Sequence, residues 1–104
     1  MKVAISSNNN NLESEMDSHF GRCGFFAIYD SLDKSTTFVE NTAASLAEGA
    51  GPAALRLLIA LGVNKVVSGN FGVKIKTLSS DLNVQLIVMR EGQTIRNLIN
   101  ILNH

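Results

Sequence analysis

Short apolar runs separated by polar breaks punctuate the chain, and their period changes partway along it. Val3-Ala4-Ile5 is a brief continuous apolar run, the pattern of a buried strand. A polar stretch over residues 6–18 follows, with asparagine at each of positions 8–11, and reads as a long loop. Long loops in compact domains either carry function or are plainly flexible, and both readings stand here. Phe25-Phe26-Ala27-Ile28-Tyr29, rich in aromatic and β-branched residues, predicts a second strand. Ser35-Thr36-Thr37-Phe38-Val39-Glu40 predicts a third. The short turn centred on Ser31-Leu32-Asp33 makes these two a hairpin.

From Gly49-Ala50-Gly51-Pro52 onward the period lengthens to that of a helix. Leu55, Leu58 and Ile59, widened by Leu57 and Leu61, form one apolar face. Pro52 suits the first helical turn, and Gly62 supplies the stop. Residues 63–68 predict strand four, and Gly69-Asn70-Phe71-Gly72 a glycine-bearing turn. Phe71, Ile75, Leu78 and Leu82 mark the face of a second helix, with Lys74 and Lys76 pointing elsewhere. Val84-Gln85-Leu86-Ile87-Val88 is strand five, and Arg90-Glu91-Gly92 a turn. Ile95, Leu98, Ile99 and Leu102 predict a third helix with Thr94 as its N-cap. The order β-β-β-α-β-α-β-α implies parallel strands in its later part, and the front hairpin adds antiparallel pairing. The expected fold class is α/β: a five-stranded mixed sheet with helices on both faces, in a single domain over residues 1–104.

Composition narrows the partners. A chain of 104 residues with 45% hydrophobic residues suits one domain with one core. Nine basic and nine acidic side chains cancel, so charge gives no reason to expect nucleic acid or an acidic membrane surface. The lone cysteine, Cys23, excludes an intrachain disulfide and points to a reducing compartment. The apolar run at the N-terminus is too short for a signal-peptide core, and no run approaches the length of a bilayer span. The expected location is cytoplasmic.

Ligands of open α/β sheets collect at the carboxyl ends of the parallel strands. That edge carries Ser6-Ser7-Asn8, Gly69-Asn70-Phe71-Gly72 and Arg90-Glu91-Gly92. Glycine there lets backbone N–H groups approach a ligand, and helix N-termini favour anions; the plainer alternative is a set of tight turns. The densest chemistry lies in Ser18-His19-Phe20-Gly21-Arg22-Cys23-Gly24. His19 could bind metal through nitrogen or hydrogen-bond an anion. Cys23 could ligate iron or another soft metal as thiolate, or pack as a small apolar residue. Arg22 could hold a carboxylate ligand, or pair within the protein. The chain lacks a phosphate-binding Gly-x-x-x-x-Gly-Lys-Ser/Thr loop, the third glycine of a dinucleotide fingerprint, and a Cys-x-x-Cys pair. With one cysteine and two histidines, the second being His104, it cannot close a structural zinc site alone. The order of elements also suggests nucleases of the ribonuclease H type, but strands one and four carry no Asp or Glu to hold divalent metals.

His19-Phe20-Gly21-Arg22-Cys23, followed by an aromatic strand ending in Tyr29-Asp30, resembles the signature of the nitrogenase iron–molybdenum cofactor-binding family. The start Met1-Lys2-Val3-Ala4-Ile5, then Val39-Glu40-Asn41, Gly49-Ala50-Gly51, Gly62-Val63 and Gly69-Asn70-Phe71-Gly72 follow in the family's order. The resemblance covers nearly the whole chain and is to the free-standing, single-domain members. It implies a ribonuclease H-like fold without nuclease activity, and a small, non-catalytic carrier of an iron–sulfur or iron–molybdenum cofactor-type cluster in nitrogen fixation. The ligand-contacting residues it implies are His19, Arg22 and Cys23, backed by Ser6, Ser7, Gly69, Asn70 and Gly72, with Cys23 and His19 on the metal. Thiolate or imidazole would meet the metal, and arginine and backbone N–H groups the anionic parts of the cargo. One cysteine makes an incomplete ligand set, so binding is expected to be labile. Its partners would be cluster donor and acceptor proteins, with the chain a monomer or weak homo-oligomer.

Two rivals remain. An interaction or regulatory module of the same fold that has lost its ligand would bind no metal. A thiol-dependent enzyme using Cys23 with His19 lacks a third group to orient the base. The carrier reading expects Cys23 and His19 to lie together and open to solvent.

Overall fold

The structure is a computed structural model that describes residues 1–103; His104 lies outside them. The strands are β1 (Lys2–Ser7), β2 (Phe25–Asp30), β3 (Ser35–Glu40), β4 (Val63–Ser68) and β5 (Gln85–Val88). The helices are α1 (Ala50–Ala60), α2 (Val73–Asp81) and α3 (Ile95–Leu102), and a single 3₁₀ turn spans Phe20–Arg22. The strands form one mixed sheet in the order β3-β2-β1-β4-β5. β1 pairs antiparallel with β2 and parallel with β4; β2 and β3 are antiparallel, and β4 and β5 parallel.

β1 is central, and both of its faces are covered. That is why its sequence is a continuous apolar run rather than an alternation. The period of two still sorts its side chains. Ala4 joins Phe26, Ile28 and Val66 beneath Leu55 and Leu58 of α1 and Ile75 of α2. Val3 and Ile5 join Ala27 and Val67 beneath Ile95 and Leu98 of α3. The helices therefore lie on both faces of the sheet, two on one side and one on the other. Ile95 and Leu98 are fully buried, and each such side chain contributes about 1.5–3 kcal/mol. Thr94 caps α3 as its sequence predicts, its side chain accepting from the Asn97 N–H at 3.1 Å.

Two local expectations need correction. β1 runs on to Ser7, because Ser6 and Ser7 pair with Phe26 and Phe25 and are wholly buried. Phe71 is a core residue but not a helical one: α2 starts at Val73, after Gly72 in extended conformation. Residues 8–18 carry no helix or strand, as expected of a loop, and fold as an ordered lobe. The Met16 N–H donates to the Gln93 carbonyl, Ile95 N–H to Ser14 and Arg96 N–H to Leu12, each at 2.9 Å. These bonds tie the lobe to the start of α3.

Candidate functional site

The lobe returns along the end of β1 and delivers His19 to the carboxyl edge of the sheet. Ser7 and Met16 form an antiparallel bridge, and the Asp17 N–H donates to the Ser6 carbonyl at 3.0 Å. The chain then runs parallel to the exit of β4, bridging His19 to Asn70. This close approach depends on glycine at position 69, where an added Cβ would sit 2.8 Å from the Ser18 Cβ. Immediately afterwards Phe20 is buried with its ring against Phe26 and Phe71, at centroid distances of 5.6 and 5.5 Å. Gly21 lies against α1, where a Cβ would come within 2.8 Å of the Gly51 Cα and N. The Asn41 side-chain amide, itself buried, donates to the carbonyls of Gly21 and Cys23 at 3.1 and 2.9 Å. His19 is thus an exposed side chain on a backbone gripped from both sides, with side-chain exposure of 77%.

Its imidazole has one close charged partner. Nδ1 lies 3.2 Å from Asp17 Oδ1, and the same oxygen accepts the His19 backbone N–H at 2.8 Å. Asp17 is held in turn from below. Its carbonyl accepts from the buried Ser6 hydroxyl and lies 3.2 Å from the Ser68 hydroxyl, and those two hydroxyl oxygens stand 2.8 Å apart. The ends of the neighbouring parallel strands β1 and β4 therefore position Asp17, and Asp17 faces the ring.

Two clefts open on either side of His19. One, of about 360 Å³, is lined by Arg22, the start of α1 at Gly49, Ala50 and Gly51, and Asn70, Gly72 and Lys74 at the start of α2. No carboxylate of the described residues lines it. Neither helix has a side-chain cap bond or an acidic residue in its first turn; at α1 Ala50 is buried and Pro52 has no N–H, and at α2 the Ile75 N–H already donates to the Gly72 carbonyl at 3.1 Å. The other cleft, of about 570 Å³, is lined by Asn8, Glu15, Asp17, Glu91 and Gly92 and carries no lysine or arginine.

The expected site residues divide. His19, Arg22, Asn70 and Gly72 all line the basic cleft, and nothing lies within 4 Å of where a Gly72 Cβ would be. Arg22 is committed elsewhere: one terminal nitrogen donates to the carbonyls of Ala44 and Leu46 and the other to the Ala47 carbonyl at 3.4 Å, tying the 3₁₀ turn to the connector before α1. The expectation that Cys23 is open beside His19 fails. Its side chain is wholly buried in the core, its Sγ is 3.3 Å from the Phe20 carbonyl oxygen, and burial pushes the thiol up to about 12. Such a thiol is not a ready metal ligand or nucleophile. Ser6 and Ser7 are buried too, with Ser7 donating to the Asn9 carbonyl at 2.6 Å; they brace the lobe instead of facing a ligand. Gly69 is filled by Ser18. Among the described residues, no three His, Cys, Asp or Glu side chains gather to hold a metal ion.

Asp17, Lys74 and the first turn of α1 are functional candidates that sequence reasoning misses. The signals were present: an Asp-x-His spacing at Asp17-Ser18-His19, and helices that begin on glycine with no Ser, Thr, Asp or Asn cap.

His19 thus stands exposed over a cleft, lined by no carboxylate of the described residues, at the ends of the parallel strands. The chain belongs to the dinitrogenase iron-molybdenum cofactor family, which matches it over residues 1–103. An uncharacterised protein of Methanocaldococcus jannaschii is 32% identical over 89 residues, 83% of this chain and 72% of that protein. The apo form of the orange protein from Desulfovibrio gigas superposes with a TM-score of 0.90 at 24% identity, covering 97% of this chain and 85% of that one, a likeness of fold. A proposed NifB protein from Thermotoga gives a TM-score of 0.82 at 29% identity over the same shares. No helix of the described residues is long and apolar enough to cross a membrane.

Proposed function

We propose that the protein is a non-catalytic carrier of an iron–sulfur or iron–molybdenum cofactor-type cluster, held at the basic cleft by His19. The observation that carries this reading is the exposed imidazole with a carboxylate 3.2 Å from Nδ1, standing over a cleft with Arg22 and Lys74 and no acid. The ring offers one nitrogen to metal. An anionic cargo meets Lys74 and the uncapped, acid-free starts of α1 and α2. This donor set fits a cluster that brings most of its own ligands and does not fit a bare metal ion. Labile attachment through a single protein ligand suits hand-over between a donor and an acceptor protein. The family's description supports the cargo class and a role in cofactor assembly for nitrogen fixation. The sheet order, with no Asp or Glu on β1 or β4, supports a ribonuclease H-like fold without that fold's metal-binding carboxylates. A buried thiol at Cys23 argues against thiol catalysis. Oxygen-sensitive cargo calls for a reducing compartment, and cytoplasmic work is part of the reading.

The test is anaerobic incubation with a preassembled iron–sulfur cluster carrying small thiolate ligands, read by visible absorption and metal counting after gel filtration. Wild type is expected to take up the cluster, His19→Ala to lose it, and Cys23→Ser to keep it. No uptake by wild type contradicts the carrier reading and favours an interaction module, in keeping with the absence of a multi-residue metal site among the described residues.

A further inference from the structure

We infer that Asp17 is the positioning residue of His19: it holds the imidazole proton on Nδ1 and leaves Nε2 as the atom that meets the cargo. The second half of this statement rests on the carrier reading; the first does not.

An ionised carboxylate only accepts hydrogen bonds. A neutral imidazole can engage Asp17 Oδ1 across 3.2 Å only by donating from Nδ1, and the nitrogen left unprotonated is then Nε2. The Ser18 hydroxyl is the other group near Nδ1, at 3.4 Å. It is farther away and uncharged, and it can rotate to accept as readily as donate, so the charge-assisted contact decides the tautomer.

Asp17 is the fixed member of the pair. Its side chain is 20% exposed against 77% for His19. Its backbone is held by the Ser6 carbonyl and by the Ser6 and Ser68 hydroxyls, and its Oδ1 is aimed by the His19 backbone N–H at 2.8 Å. Outer carboxylates of this kind fix the orientation of a metal-binding imidazole. The buried serines that do not touch ligand thereby acquire a role: they transmit the rigid spacing of β1 and β4 to the ring. Without such a partner, a neutral histidine in water carries its proton mainly on Nε2, the atom the cargo needs free.

The test is nitrogen NMR of the histidine ring in ¹⁵N-labelled protein without cargo, at about pH 8, where imidazoles are ordinarily neutral. A His104→Gln background leaves a single ring in the spectrum. Wild type is expected to show the proton on Nδ1, and Asp17→Ala, which removes the acceptor facing Nδ1, to shift it toward Nε2. Cluster uptake by Asp17→Ala should fall roughly tenfold. A wild-type ring protonated mainly on Nε2 overturns the inference, whether or not the variant folds. So does an unchanged ring in a folded Asp17→Ala protein. If the ring behaves as expected but wild type takes up no cluster, the carrier reading falls while the hold of Asp17 on the ring stands.

Discussion

The two clefts beside His19 share a wall and differ in sign. The smaller is made from helix beginnings and carries Arg22 and Lys74; the larger is made from the folded lobe and the turn before α3 and carries Glu15, Asp17 and Glu91. Volume alone would favour the acidic side. The carrier reading needs the other, because an anionic cargo would be repelled by the three carboxylates and meets none beside Arg22 and Lys74. The comparison also separates carboxylate from imidazole: Asp17 lines the acidic cleft alone, whereas His19 lines both.

The comparison can be broken or sharpened by substitution. His19→Ala should have the largest effect, lowering cluster uptake roughly 100-fold, about 2.7 kcal/mol, with stability in urea changed by less than about 0.5 kcal/mol because the side chain is exposed. Gly21→Ala comes next. Its Cβ would meet backbone of Gly51, which cannot move aside as a side chain can, and urea unfolding should show a loss of about 2 kcal/mol. Lys74→Glu should weaken uptake about fivefold, with the difference shrinking at high salt, whereas Glu91→Lys across the ridge should change it less than about twofold. Equal effects from these two reversals would show that the clefts are not distinct in function.

At neutral pH the smallest effect concerns Cys23. Burial pushes its folded thiol up to about 12, against an ordinary value of 9.0, so the unfolded chain gives up this proton first as pH rises. The stabilisation is complete below about pH 9 and is lost progressively between about 9 and about 12. Cys23→Ala should remove that alkaline slope, which urea titrations across this range would measure. Native wild type should also react only slowly with a thiol reagent at about pH 8.

Legibility followed the physics of each signal. β3 and β4 were readable to the residue, since short β-branched runs between turns have few alternatives. The start of α2 was not, because Phe71 has helical spacing to Ile75 but reaches the core from an extended turn. The lobe of residues 8–18 was hidden by its composition: asparagines and serines look mobile, yet the order comes from backbone bonds to residues 93–96, which no local pattern reports. In the site, His19 stood out because its neighbourhood was chemically dense. Cys23 belonged to the same dense segment but points into the core. The 3₁₀ turn between them is what separates one side chain from the other, and its geometry depends on distant partners at Asn41 and Gly51. Lys74 lies off the apolar face of its helix, and that position in the first turn is what brings it to the cleft.

The most direct test of the central claim is hyperfine spectroscopy of the reconstituted, reduced protein with ¹⁵N-labelled histidine. The account predicts a coupling from one imidazole nitrogen to the cluster, absent in His19→Ala and unchanged in Cys23→Ala. A cluster with no nitrogen coupling, or one whose cysteine β-proton couplings vanish with Cys23, would contradict it.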